Sequence, residues 1–102
     1  MHIFAVFNLK PGVSRESYEK WAKTVDLPTA GALPSLDSFR VFRATGLFGS
    51  DASPPFGYIE VLEVNDMDRF LADVATPAMG EVAAAFGGMV DVQFVLTEEL
   101  RP

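Results

Sequence analysis

The proton-transfer chemistry open to this chain depends on carboxyl and phenol groups, because it contains one histidine and no cysteine. Without cysteine there can be no disulfide, thiolate nucleophile or thiolate metal site. A single histidine excludes a multi-histidine metal centre and makes a Ser-His-Asp triad implausible. No metal site is therefore expected, and carboxylates are the main candidates for general acid–base catalysis.

Glu60 is the first of these candidates. It lies in the strand-like segment YIEVLEV (58–64), where alternation places Glu60 and Tyr58 on the same face. Facing a pocket between sheet and helices, the carboxyl would lose solvation, and its pKa would rise towards neutral pH. Glu60 would then act as a general acid or base, with Tyr58 as its hydrogen-bonding partner. The alternative is that Ile59 and Val61 form the core face and Glu60 meets solvent or a dimer partner.

Three further groups are candidates for proton transfer or for hydrogen bonding to a substrate. Asp73 lies just before Pro77 in the second helical region, although an ordinary solvated role is the alternative in that acidic stretch. His2 is a candidate because it is the only imidazole of the chain, but its place at the chain start also fits exposure or a dimer contact. Asp26 could accept an N–H from a substrate, or it could serve the turn before Pro28.

The predicted binding surface is aromatic and apolar. The first helix offers Trp21 and Val25, and the flat indole of Trp21 suits an indole or pyrrole ring, although Trp21 could also be only a core residue. Arg43, on the second strand, could hold a substrate carboxylate through paired N–H donors. A salt bridge to one of the many acidic residues is the alternative. The remaining predicted wall residues are Ile3, Phe7, Phe39 and Met79.

Six elements are predicted to position these side chains. Strands are expected at residues 2–10, 36–45, 58–64 and 89–97. The first helix begins at a Ser14 cap and is expected to stop at Pro28. The second begins at Asn65 or Asp66, breaks at Pro77, and resumes from 78 to 86 before stopping at Gly87-Gly88. The loop 46–57 would either close over a pocket mouth or form a plain dimer edge.

The order β-α-β-β-α-β predicts one α+β domain over residues 1–102, of the ferredoxin-like type. Its four-stranded antiparallel sheet would be covered by helices on one face. The other face would carry apolar residues such as Phe4, Val6 and Phe42, which are too hydrophobic to leave wet. We therefore expect a homodimer in which two sheets pack face to face as a dimeric α/β barrel.

Composition and charge exclude several other classes of protein. With 14 acidic and 8 basic residues, the chain carries a net charge of −6, which repels nucleic-acid phosphates and anionic lipids. No apolar run approaches the roughly 20 residues that span a bilayer, and no basic leader precedes the first strand. No phosphate-cradling, haem or flavin motif is present, so no cofactor is expected. These features favour a cytoplasmic protein without nucleic-acid or membrane partners.

Three phrases of the sequence resemble the REDY-like (HapK) family over nearly the whole chain. They are YEKWAKTVDLPT (18–29), YIEVLEVNDMDRFLADVATPAM (58–79) and FVLTEEL (94–100). These small proteins are encoded with prodiginine pathways, and relatives occur in bisindole pathways. The resemblance implies cofactor-free cyclisation, condensation or decarboxylation of a small pyrrole- or indole-type aromatic substrate.

The layout is more distantly similar to the stress-responsive dimeric α/β barrels and the polyketide cyclases. Those cyclases typically use a histidine in a Pro-Ala-His phrase, where this chain has Met79, which cannot transfer a proton. The first-strand position at which they commonly carry histidine holds Ile3, with His2 on the opposite face. Asp73 lies near the position of their pocket tyrosine. The alternatives are therefore a non-catalytic carrier of an unstable intermediate or, more weakly, a cofactor-independent oxygenase.

Overall fold

The computed structural model describes residues 1–102 and contains a single four-stranded antiparallel sheet. Its strands are β1 (His2–Leu9), β2 (Leu36–Arg43), β3 (Tyr58–Val64) and β4 (Val90–Leu96). They are arranged in the order β2-β3-β1-β4, so the two central strands are β3 and β1. The predicted ferredoxin-like α+β arrangement is confirmed.

Two helical regions connect the strands. The first joins β1 to β2, and the second joins β3 to β4. The first region consists of α1 (Arg15–Trp21), a π-helical segment (Ala22–Asp26) and α2 (Leu27–Ala30). The second consists of α3 (Met67–Val74) and α4 (Pro77–Met89). None of these helices is long and apolar enough to cross a membrane.

Three of the helix starts follow from side-chain caps. Ser14 caps α1 by accepting the Ser17 N–H at 3.1 Å, and Asp66 caps α3 by accepting the Arg69 N–H at 3.0 Å. Thr76 caps α4, and Pro77 at its first turn has no N–H that would need a partner. The predicted break of the second helix at Pro77 is confirmed.

The prediction that Pro28 ends the first helix is wrong. The Leu27 N–H donates to the carbonyl of Ala22, five residues earlier, which makes the preceding turn a π-turn. Pro28 then enters the first turn of α2, where its missing N–H costs no hydrogen bond. Helical structure therefore continues to Ala30.

The helix stop predicted at Gly87-Gly88 is also wrong, because α4 continues to Met89 and leads directly into β4. Lys10 satisfies the carbonyls at this helix end. Its Nζ donates to the Gly87 carbonyl at 2.9 Å, and its backbone N–H donates to the Met89 carbonyl at 2.8 Å. A left-handed glycine cap is therefore not required.

The two faces of the sheet differ in burial. On the helix side, Ala5 and Phe7 are fully buried, and Phe7 stacks on Tyr58 with ring centroids 5.3 Å apart. On the outer side lie apolar side chains that one chain leaves partly exposed, including Phe42 (43% exposed) and Ile59 (37%). The remaining apolar residues of this outer face are Phe4, Val6, Val61 and Val95.

Candidate active site

A cavity of about 620 Å³ lies on the helix side of the sheet and is bounded by α3, α4, the π-helical segment and all four strands. Of its 19 lining residues, 17 are hydrophobic and the other two are Asp26 and Glu60. Four phenylalanine rings contribute to the wall: Phe39, Phe70, Phe86 and Phe94. We call this space the apolar cavity. Its volume is typical of sites for small organic ligands.

The exposed residues of the lining mark the side on which the apolar cavity meets solvent. They are Met1 before β1, Leu71 on α3, Ala83 on α4, and Phe94 and Leu96 on β4. One interpretation of the sequence was that the loop 46–57 closes over the mouth of a pocket. No residue of this loop lines the apolar cavity, so the loop does not cover it in this structure. That loop instead joins β2 to β3 and carries the fully exposed Phe48.

Glu60 lies on the floor of the apolar cavity and is only 3% exposed. Its neighbours across the sheet are Ala5 on β1 and Val41 on β2, neither of which can hydrogen-bond through its side chain. Its Oε2 atom is buried and has no hydrogen-bond partner. Burial, followed by the nearby charge of Asp26, raises the pKa of Glu60 to about 8. The carboxyl is therefore mostly protonated at neutral pH.

Asp26 is the second polar residue of the cavity and is 5% exposed. It is the last residue of the π-helical segment, a type of structure that often occurs at functional sites. Burial raises its pKa to about 6, so it is mostly ionised at neutral pH. Glu60 and Asp26 therefore provide an acid and a base within one apolar enclosure, which is how enzymes assign two roles to two carboxyls.

Tyr18, on α1, is a further buried polar group, and sequence reasoning did not single it out. Its side chain is fully buried and its hydroxyl has no hydrogen-bond partner. Burial raises its pKa, and the charges of Glu60 and Asp26 raise it further. The only sequence signal for this placement is a hydroxyl on the buried face of the first helix.

Tyr58 and Arg43 belong to a separate network centred on Glu19. The Tyr58 hydroxyl donates to Glu19 Oε2 at 2.7 Å, and Arg43 Nε donates to the same oxygen at 2.8 Å. The hydrogen bond from Arg43 is the main reason that the pKa of Glu19 falls to about 2. This network borders a smaller cleft of about 190 Å³. Tyr58 is therefore not the hydrogen-bonding partner of Glu60, and Arg43 takes the salt-bridge alternative.

The other predicted site residues divide into two groups. Ile3, Phe39 and Met79 line the apolar cavity together with Glu60 and Asp26. The structure does not bring the rest to its surface: Phe7 lies in the aromatic core, Trp21 stacks on Phe86 with centroids 6.2 Å apart, and Val25 is exposed.

Asp73 and His2 also lie outside the cavity lining. Asp73 Oδ2 accepts hydrogen bonds from the backbone N–H of Ser35 at 3.2 Å and from its hydroxyl at 2.6 Å, which ties α3 to the start of β2. His2 stacks on Phe4, with ring centroids 6.3 Å apart, on the outer face of the sheet. No group of three or more potential metal-ligating side chains is present.

Comparison with known proteins decides the family. The family model of the REDY-like protein HapK matches residues 1–100. The chain belongs to the HapK family. Among curated proteins, no sequence matches it significantly.

Solved structures support the same placement of this HapK-family chain. HapK from Hahella chejuensis is 29% identical, with a TM-score of 0.78 over 98% of this chain and 93% of that chain. A dimeric ferredoxin-like protein of unknown function from Thermobifida fusca is 20% identical, with a TM-score of 0.73 over 92% and 85%. SnoaB, a cofactor-independent oxygenase from Streptomyces nogalater, is 15% identical, with a TM-score of 0.74 over 99% and 93%. The last two show that the fold is shared.

Proposed function

We propose that this HapK-family protein is a cofactor-free enzyme of secondary metabolism that acts on a pyrrole- or indole-type aromatic intermediate. The reaction is a cyclisation, condensation or decarboxylation in the biosynthesis of a prodiginine- or bisindole-like product. The observation that carries this proposal is the pair of buried carboxyls, Glu60 and Asp26, in an otherwise apolar cavity. Membership of the HapK family supports a role in secondary metabolism.

The mechanism assigns one proton-transfer role to each carboxyl. Glu60, protonated at neutral pH, donates a proton to a substrate oxygen or imine nitrogen as its carbon is attacked. Asp26, ionised at the same pH, accepts the proton that the nucleophilic carbon or nitrogen loses. Each turnover leaves Glu60 without its proton and Asp26 with one. The proton then passes from Asp26, which has the lower pKa, back to Glu60, so the pair returns to its starting state without a net gain or loss of protons. The phenylalanine rings of the cavity wall orient the substrate relative to the two carboxyls and exclude water.

A non-catalytic carrier is the second candidate. Met79, in the cavity wall where the related cyclases typically place a histidine, cannot transfer a proton. A protein of this kind would shield a reactive intermediate in the apolar cavity and release it to the next enzyme.

Turnover of synthetic pyrrole- and indole-type intermediates, measured against buffer, tests the proposal. Glu60→Gln should lower the rate by roughly a hundredfold, the usual contribution of one general acid. Glu63→Gln, which changes a carboxyl on the outer side of the same strand, should leave the rate unchanged. Saturable binding without product would identify a carrier, and oxygen consumption would identify an oxygenase.

A further inference from the structure

Every charged or polar side chain that lines the apolar cavity is a carboxylic acid. We propose that the cavity selects aromatic heterocycles that donate an N–H to the Glu60–Asp26 pair and excludes those that carry a carboxylate. The inference rests on the proposed function, and it narrows the substrate to a carboxylate-free nitrogen heterocycle.

The charges around the cavity support this selection. Glu60 and Asp26 both line the cavity, and their charges raise the pKa of the buried Tyr18 on α1. Its neighbours on β1 and β2 are Ala5 and Val41, and the residues that α3, α4 and β4 contribute to the lining are all apolar. No lysine, arginine or histidine lines the cavity.

Arg43 and His2, the two basic residues among the predicted site residues, do not line the cavity. Arg43 is hydrogen-bonded to Glu19 beside the smaller cleft. His2 lies on the outer face of the sheet against Phe4. A bound carboxylate would therefore find no positively charged side chain to replace its lost hydration. The N-terminal ammonium of Met1, whose residue also lines the cavity, donates to the Val64 carbonyl at 3.0 Å.

Charge balance then separates the two classes of ligand. At neutral pH the pair holds about one proton, so it carries about one negative charge. A carboxylate ligand would bring a second negative charge into an apolar enclosure, which is strongly unfavourable. An N–H donor adds no charge and satisfies a buried carboxyl oxygen, such as the unpartnered Oε2 of Glu60.

This selection also narrows the reaction. Decarboxylation requires a substrate carboxylate to enter the cavity, whereas cyclisation and condensation of a heterocyclic aldehyde, ketone or imine do not. We therefore expect one of the latter two reactions. In either, the N–H that anchors the ring keeps its contact with the carboxyl pair.

The test uses the native protein and three probes of similar shape. These are 2-phenylindole, which donates an N–H; 2-phenylbenzofuran, in which oxygen replaces the N–H; and 2-phenylindole-3-carboxylate. Dissociation constants are measured by fluorescence titration or competition. We expect 2-phenylindole to bind roughly tenfold or more tightly than the benzofuran, as one hydrogen bond to a buried carboxyl implies, and tighter than the carboxylate by at least the same factor.

The pH dependence adds a second readout. The preference for 2-phenylindole over the carboxylate should widen from about pH 5 to about pH 9, because Asp26 and Glu60 lose their protons near 6 and 8. Glu60→Gln should weaken this preference, because the glutamine amide donates to a carboxylate and cannot become charged. Glu63→Gln is the matched control and should behave as the native protein does.

Three outcomes overturn the inference. If the benzofuran binds as tightly as 2-phenylindole, no N–H is recognised. If the carboxylate binds as tightly, charge is not selected. Either result leaves the proposed binding of aromatic intermediates in place. If none of the three probes binds, the proposed function fails, and this inference fails with it.

Discussion

At the scale of single residues, the burial of Glu60 has a consequence for stability that is independent of any substrate. The folded protein holds a proton on this carboxyl up to about pH 8, whereas a free glutamate releases it near 4.5. Folding therefore becomes less favourable as pH rises between these two values. Asp26 adds to the effect between 3.8 and about 6. A buried carboxyl with a raised pKa lowers the free energy of unfolding near neutral pH, and groups of this kind are concentrated at functional sites.

The free energy of unfolding should accordingly fall between pH 6 and pH 8, by roughly 1 kcal/mol per pH unit at most from Glu60 alone. Glu60→Gln should remove this slope and should be more stable than the native protein at pH 8. Glu63→Gln, on the outer side of the strand, should retain the slope. Urea denaturation at several pH values measures all three proteins, and an unchanged slope in Glu60→Gln would contradict the assignment.

Arg43 provides a second residue-scale prediction. Because its guanidinium is bound to Glu19 beside the smaller cleft, Arg43→Gln should change the affinity of the apolar cavity for 2-phenylindole by less than about twofold. Glu60→Leu, which removes the acceptor altogether, should weaken that affinity in the same titration. A large loss of affinity in Arg43→Gln would mean that the arginine contacts ligands directly.

The residue-scale predictions succeeded where strand alternation decides the answer. The period of two residues places Glu60 on the helix side, and the structure has it there. Strand alternation could not identify the group that each side chain contacts on another element. The pairing of Arg43 with Glu19 joins residues that are 24 positions apart, and the Tyr58 hydroxyl points to the same glutamate. Such contacts depend on tertiary packing and have no local signature.

At the scale of elements, the π-helical segment is the feature that the sequence did not predict. Proline inside a helical pattern normally indicates a stop, and Pro28 was interpreted in that way. The π-turn lets the helix continue past Pro28, and the same turn ends at the buried Asp26. Because this π-turn has no clear signal in the sequence, the sequence placed Asp26 in a turn before Pro28 and did not pair it with Glu60.

Two substitutions test this account of the helix. Pro28→Ala should change the free energy of unfolding by less than about 1 kcal/mol, because the proline lies in a first turn where no N–H is needed. Thr24→Pro, at an exposed position inside the π-helical segment, should cost about 3 kcal/mol or more by removing a hydrogen bond and clashing with the preceding turn. Urea denaturation measures both. Equal losses would show that residues 22–30 do not form a continuous helix.

At the scale of the whole molecule, the sequence predicted the fold well and the cavity only in part. The alternation of strands and the caps at Ser14 and Asp66 are local signals, and the element order follows from them. The volume of the apolar cavity depends on how far α3 and α4 stand from the sheet, which no local pattern specifies. Trp21 is an example. Its spacing in the sequence predicted that it faces the core, but not that it stacks on Phe86 and lies outside the cavity lining.

The outer face of the sheet leads to the last prediction. We propose that two copies of the chain pair through this face, since Phe42 and Ile59 are too exposed and too apolar to be left in water in a monomer. In solution the native protein should therefore have about twice the 11.1 kDa mass of one chain.

Ile59→Lys should shift that mass to a single chain, because pairing would bury a lysine charge against an apolar partner surface at a cost of several kcal/mol. Ala84→Lys, which places the same charge on the exposed side of α4, should leave the dimer intact. Light scattering coupled to size exclusion measures all three proteins, and circular dichroism checks that each is folded. A native protein with the mass of one chain would contradict the proposal. If the native protein is a dimer and Ile59→Lys is not, β3 has two roles. Ile59 and Glu60 are adjacent on β3 and point to opposite faces, so the strand holds the dimer together on one face and presents the catalytic acid on the other.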